Sequence, residues 1–364
     1  MSTEANTRTF THLLVTGGAG FIGSNFVHRT LATRPEVKIH VLDALTYAAN
    51  PDNLKTEEGI PLEEAYPGRF TFTKGDIVNS AVVDDVVGEL AREASGGDGR
   101  TSGAAIVHCA AESHNDNSLV DPGVFARTNV EGTVNLAAAA VRHNVFLHHI
   151  STDEVFGDLA LDDPQRFTTA TPYRPSSPYS ASKASADHFI RAFIRSKGLR
   201  ATVSNCSNNY GPRQHPEKFI PRQITALIEG KKPRLYGQGL NVRDWIHVDD
   251  HNDAVWTILE KGTEGETYLI GADGERSNIQ VVRDLLRIFG QQPNAFLHVT
   301  DRPGHDRRYA IDPISIRSLG WEPVYRSFDA GLRETVAWYQ NNQQWWKEAR
   351  VASEEKYSQT EREL

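Results

Sequence analysis

"HLLVTGGAGFIG", residues 12–23, runs from an apolar stretch into three spaced glycines. The run 12–17 reads as a buried strand, and the residues from about 20 to 33 as a helix. Between them Gly17, Gly20 and Gly23 permit a tight turn and a close backbone approach, while the helix N-terminus offers its N–H groups to a pyrophosphate. A glycine triplet alone says little; between a strand and a helix it predicts dinucleotide binding. Gly17, Gly20, Phe21, Ile22 and Gly23 are the cofactor turn on this reading. Asp43 ends the next strand, "VKIHVLD" (37–43). A carboxylate there accepts from ribose hydroxyls and repels a 2′-phosphate, which favours NAD over NADP.

Further along, strands are predicted at 69–76, 103–111, 144–151 and 200–207, and helices at about 80–93, 121–143 and 179–197. Strands alternating with helices imply parallel pairing with right-handed crossovers. The fold class is therefore α/β, a Rossmann-type doubly wound parallel sheet with a smaller C-terminal substrate-binding lobe. Residues 1–207 form the expected NAD-binding Rossmann domain carrying the catalytic residues. Residues 208–345 form most of the nucleotide-sugar lobe, with some segments returning to the first domain. The charged tail 346–364 reads as a solvated helix or frayed end, and "SGGDGRTSG" (95–103) as a surface turn. Asp76 closes the third strand, just before Ile77, and suits either an adenine contact or a helix cap.

Composition excludes several classes. With 39% hydrophobic and 24% charged residues, the 364-residue chain has the make-up of a globular protein. Its net charge of −8 argues against a nucleic-acid partner, though not against a local basic pocket for a phosphate. No apolar run is long enough for a membrane span, and "MSTEANTRTF" holds no apolar signal-peptide core. Cys109 and Cys206 lie in or beside apolar stretches without metal-like spacing. They read as buried inert thiols of a cytoplasmic protein, and no metal is expected.

The chemistry is carried by two stretches. In "PSSPYSASKASADHF", Tyr179 and Lys183 are four apart and share a helical face, where an ammonium lowers a phenol's pKa. In "HHISTDEVFG" (148–157), Thr152, Asp153 and Glu154 follow a buried strand. With the glycine turn, this set resembles the extended short-chain dehydrogenase/reductase superfamily, and "STDEVFGD" resembles the Thr-Asp-Glu motif of its dTDP-glucose 4,6-dehydratases. The resemblance implies that Thr152, Tyr179 and Lys183 oxidise the sugar at C4 with bound NAD. Asp153 as acid and Glu154 as base would then eliminate water across C5 and C6. Two neighbouring carboxyls whose environments push their pKa values apart suit that division of labour.

"HCAAESHNDNS" (108–118), "SNCSNNYGPRQHPEKFIPRQ" (204–223), "LYGQGLNVRDWIHVDDH" (235–251) and "DRPGHDRRYAID" (301–312) also resemble that family's segments. The resemblance implies NAD contacts for Asp76, Ile77, Ala110, Ala111, Thr128, Tyr179 and Lys183. It implies sugar contacts for Ser113, His114, Thr152 and Asn208, and contacts to the diphosphate and nucleoside for Lys218, Arg243, Asn278 and Arg302. The substrate implied is dTDP-glucose, converted to dTDP-4-keto-6-deoxyglucose and water in deoxysugar or secondary-metabolite biosynthesis. The base rests on resemblance alone, since thymine and uracil differ by one methyl. Asn117, Phe156 and Arg213 depart from residues common in the family. A homodimer is expected through the helices at about 121–143 and 179–197. Two alternatives remain: an NAD-dependent epimerase or decarboxylase of the same superfamily, and a non-enzymatic NAD-binding regulator.

Overall fold

The computed structural model describes residues 7–95, 103–301, 305–325 and 327–363. The strands are β1 (His12–Thr16), β2 (Lys38–Asp43), β3 (Phe70–Lys74), β4 (Ala104–His108), β5 (Phe146–Thr152), β6 (Ala201–Cys206), β7 (Asn208–Tyr210), β8 (Arg234–Tyr236), β9 (Val242–His247), β10 (Thr267–Ile270), β11 (Glu275–Ser277) and β12 (Leu297–Val299). Helices of ten residues or more are α1 (Phe21–Thr33), α2 (Ser80–Ala94), α3 (Gly132–Arg142), α4 (Pro178–Lys197), α5 (Phe219–Ile228), α6 (Val248–Lys261), α7 (Asn278–Ile288), α8 (Phe328–Asn341) and α9 (Gln343–Thr360).

Seven strands form one parallel sheet in the order β10-β6-β5-β4-β1-β2-β3. Period-2 alternation feeds two cores. Leu13 and Val15 of β1 join the cluster that holds Phe26 and Val27 of α1 and Val255 and Trp256 of α6. Leu14, between them, joins Val87 of α2, Leu136 of α3 and Ile190 of α4 on the opposite face. A strand buried on both faces needs the near-continuous apolar run that the sequence supplies. Strand order reverses between β1 and β4, so their carboxyl ends part and leave a crevice, where ligands bind in such sheets.

The remaining strands form the small sheets β11-β9-β7 and β12-β8. Their core gathers Tyr210, Ile224, Trp245, Leu285, Leu332, Tyr339 and Trp346. β10 leaves this region to pair with the outer edge of β6.

Two differences from the sequence reading matter. The helix expected at 121–143 is interrupted by a π-helical stretch, Ala126–Glu131, between Pro122–Phe125 and α3. The tail is not a solvated end: α9 covers much of it, with Trp346, Arg350, Ser353 and Glu361 buried. Most of the turn expected at 95–103 lies outside the described residues. Among the described residues no helix is long and apolar enough to cross a membrane, and no group of His, Cys, Asp or Glu could hold a metal ion.

Candidate active site

The glycine turn is closed too tightly for side chains. A Cβ on Gly17 (φ +71) would sit 2.7 Å from the backbone of Ala110, and one on Gly23 would sit 2.3 Å from the Gly17 carbonyl oxygen. Gly20 is the N-cap of α1 and supplies no capping side chain, so the first-turn N–H groups face the crevice without one. Asp43 is nearly buried at the end of β2. Its Oδ2 accepts from Ala19 N at 2.9 Å and its Oδ1 from Leu45 N at 2.8 Å. Burial pushes its pKa up, and the two N–H bonds pull the other way. The carboxylate thus ties the glycine turn to the loop after β2 and still lines the cleft.

One continuous cleft is lined by Gly17, Gly20, Phe21, Ile22, Gly23, Asp43, Asp76, Ile77, Ala110, Ala111, Thr128, Thr152, Asp153, Glu154, Tyr179 and Lys183. A dinucleotide fits this lining, with a glycine cradle and helix N-terminus at one part and Thr152, Tyr179 and Lys183 at another. The Asp76 carboxylate accepts from Val78 N at 2.9 Å in a turn before α2, whose N-cap is Asn79. A second cleft opens beside the first and is lined by Ser113, His114, Asn208, Lys218, Arg243 and Asn278. Ser113, Glu154, Asn208 and Lys218 line both clefts, so Glu154 stands where the two meet. Arg302 lies outside the described residues.

Thr152 ends β5, and Asp153 begins a short 3-10 turn, Asp153–Phe156, that the Thr152 hydroxyl caps. That hydroxyl accepts from Glu154 N at 3.3 Å and donates to Asp153 Oδ1 at 3.3 Å. Asp153 is 1% exposed and its Oδ2 has no partner. Burial, then the neighbouring Glu154, push its carboxyl well above the usual range, so it stays protonated where an ordinary Asp is ionised. Glu154 Oε2 instead accepts from Asn115 Nδ2 at 2.8 Å. Ser177, the N-cap of α4, donates to Asn115 Oδ1 at 2.9 Å. Helix α4 and the Glu154 carboxylate are thereby registered through one amide.

Tyr179 and Lys183 are both buried on α4. The expected lowering of the phenol's pKa by Lys183 does not appear. Burial, followed by the Glu154 charge, raises Tyr179 well above its usual value, and the nearby Thr152 hydroxyl acts against them. The Lys183 ammonium donates to Ile150 O at 2.8 Å, and burial lowers its own pKa.

The sequence reading missed the supports. Asn205 Nδ2 donates to Thr152 O and to Asp187 Oδ2, both at 3.1 Å, and Asp187 also holds Tyr173 and His149. In the π stretch, Asn129 Nδ2 donates to Ser182 Oγ at 2.8 Å, while its Oδ1 accepts from Glu112 N at 2.8 Å. π-Helical segments cluster at functional sites because the extra residue re-aims a turn; here the same stretch brings Thr128 to the cleft. Of the three departures, Asn117 lies near the Tyr47 phenol, and Phe156 stacks in the core on Phe167. Arg213 (φ +65) pairs with Glu57 at 2.5 Å.

The family model described as GDP-mannose 4,6 dehydratase matches residues 14–335. A dTDP-glucose 4,6-dehydratase of Mycolicibacterium smegmatis is 54% identical over 95% of this chain and 98% of its own length. The chain belongs to the dTDP-glucose 4,6-dehydratase family. A relative of the same name from Mycobacterium tuberculosis is 53% identical, again over 95% of this chain and 98% of its own. Among solved structures, the dTDP-glucose 4,6-dehydratase of Streptomyces venezuelae with NAD bound superposes with a TM-score of 0.82 at 43% identity. It covers 93% of this chain and all of its own. The UDP-glucose 4-epimerase of Thermus thermophilus, also with NAD, reaches 0.78 at 27% identity over 91% of this chain and all of its own.

Proposed function

We propose that the chain is an NAD-dependent dTDP-glucose 4,6-dehydratase, a hydro-lyase that forms dTDP-4-keto-6-deoxyglucose and water. The assignment is carried by the adjacent carboxyls of Asp153 and Glu154. One is buried and costly to ionise, and the other is held by Asn115 where the two clefts meet. An enzyme that only oxidises and reduces C4 has no use for that pair.

Gly17, Gly20, Phe21, Ile22, Gly23, Asp43, Asp76, Ile77, Ala110, Ala111 and Thr128 would hold NAD, which supplies a hydride acceptor and donor and a cationic ring that favours a phenolate. Tyr179 Oη takes the proton of the C4 hydroxyl, and Thr152 Oγ1 orients that oxygen. Lys183 has one N–H on Ile150 O and two left for the cofactor. Once C4 is a ketone, the C5 proton is acidified. The Glu154 carboxylate removes it while Asp153, protonated, gives its proton to the C6 hydroxyl, which leaves as water. Glu154 then holds a proton it can return to C5 as C6 receives back the hydride that left C4. Tyr179 gives its proton to solvent and Asp153 regains one, which closes the cycle. Ser113, His114 and Asn208 would meet the sugar, and Lys218, Arg243, Asn278 and Arg302 the nucleotide.

The decisive experiment is mass spectrometry of products from dTDP-, UDP-, CDP- and GDP-hexoses. The dTDP-glucose product should be lighter by one water and show the alkali-dependent absorbance of a 4-keto-6-deoxy sugar. A product of unchanged mass would mean an epimerase instead. We further place the enzyme in the cytoplasm, consistent with its two free thiols, Cys109 and Cys206. A homodimer is supported by the exposed apolar side chains Leu119, Val120 and Phe189, the last on α4 and the others just before the π stretch.

A further inference from the structure

The end of α9 reaches into the second cleft. Tyr357 lines it, together with Arg222 of α5 and Tyr236 of β8. Separate contacts fix that wall. The Tyr357 hydroxyl donates to the Glu217 carbonyl oxygen at 2.8 Å, which holds the turn just before Lys218. Lys218 in turn donates to Ser113 O at 2.8 Å across the cleft. The Arg222 guanidinium lies 3.7 Å from the centre of the Tyr357 ring. It is bonded to Glu354 at 2.8 Å and to Glu361 Oε2 at 2.9 Å. Burial, then the nearby Glu361 charge, raise the pKa of the Tyr236 phenol. Arg222 is only 5% exposed and Glu361 8%, so each charge depends on the other for its burial.

We propose that the segment from Glu354 to Glu361 is a substrate-affinity element. It positions the Glu217–Lys218 turn, Arg222 and Tyr236 for a nucleoside diphosphate, and takes no part in the oxidation or elimination. This rests on the reading of the second cleft as the nucleotide-sugar site. The geometry is one-sided: Tyr357 and Tyr236 line only the second cleft, whereas Thr152, Tyr179 and Lys183 line only the first. Loosening this wall should therefore cost binding without altering the reacting groups. Tyr357 is a positioning residue, acting through the main chain ahead of Lys218.

The test is Tyr357→Phe, which keeps the ring and removes the donor, alongside Glu361→Gln, which keeps the shape and removes the charge. Each is made in the full-length, NAD-loaded chain. Titration with dTDP and steady-state kinetics with dTDP-glucose are read together with bound-NAD content and melting temperature. One lost hydrogen bond corresponds to a weakening of roughly three- to tenfold, and more for the charged pair. The dTDP dissociation constant and KM should rise by that factor while kcat changes less than twofold. Bound NAD should stay at the parent level. Unchanged dTDP affinity in both variants, or a fall in kcat at constant KM, would overturn the proposal. A parent chain that binds no dTDP would overturn the functional reading and this inference with it. If Tyr357→Phe does not fold, Glu361→Gln decides alone.

Discussion

Asn115 and Glu154, 39 residues apart in the chain, are joined by a 2.8 Å hydrogen bond from the Asn115 amide to Glu154 Oε2. The bond leaves Oε1 to act and fixes the plane of the carboxylate. Glu154→Gln should preserve C4 oxidation but slow C5 proton loss, by about 10² to 10⁴ if Glu154 is the base. Reduced-cofactor absorbance should then build up on the enzyme, and exchange of solvent deuterium into C5 should fall. Asn115→Ala, which frees the carboxylate and also removes the acceptor of the Ser177 hydroxyl, should cost about tenfold. Parent-level turnover by Glu154→Gln would remove the base assignment.

As the proposed acid, Asp153 would act only while protonated, and its raised pKa sets the sign of the expected pH dependence. The rate should fall on the alkaline side, as Asp153 ionises. Asp153→Asn should lower kcat by a factor on the order of 10² to 10⁴ and abolish that limb, leaving C5 exchange partly intact. A kcat–pH profile with the same alkaline limb in the Asn variant would point to another acid.

Asp43 anchors Ala19 and Leu45 and carries the charge expected to repel a 2′-phosphate. Asp43→Ser should weaken NAD binding roughly 10- to 100-fold, the range for bonds to a charged group. It should weaken NADP binding less. Equal losses for both cofactors in titrations would place Asp43 away from the ribose.

His148 lies fully buried between Thr202 and Ser204, and burial lowers its pKa to about 3; His251 is lowered to about 4. In the unfolded chain both titrate near 6.5, so below that pH the unfolded state binds more protons than the folded one. Stability should therefore fall as pH drops from about 6.5 towards 3–4, with a slope of about 1.4 kcal/mol per pH unit for each such histidine. Urea midpoints at several pH values in this range, for the parent and His148→Gln, check it: the variant should lose stability less steeply.

Light scattering at micromolar concentration should report twice the 40.4 kDa chain mass. Val120→Asp with Phe189→Asp should shift it towards the monomer, because both are exposed apolar side chains that a dimer contact would bury. A 40.4 kDa parent would end the dimer proposal.

What the sequence made legible was local. The glycine turn, Thr152–Glu154 and the Tyr179–Lys183 pair are each written in a few consecutive residues whose spacing states the geometry. The supports were not, because they depend on partners far along the chain: Asn205 meets Thr152 across 53 residues, and Arg222 meets Glu361 across 139. The segment "EARVASEEKYSQTEREL" carries no apolar stripe, so its docking through ion pairs and one tyrosine leaves no hydrophobic signature. The shift of Tyr179 was illegible for a related reason. Spacing puts Lys183 one turn away, but not its engagement with Ile150 O or the depth of burial.

β10 pairs with the outer edge of β6, Thr267 opposite Val203, after more than sixty intervening residues. During synthesis β6 therefore emerges long before its neighbour and presents a row of unpaired amides and carbonyls until residue 270 is available. A fragment ending at Cys206 would keep that edge open and should self-associate, while one ending past Ile270 could close it. The seven-stranded sheet is thus completed only after the segment that carries β7, β8 and β9 has been translated.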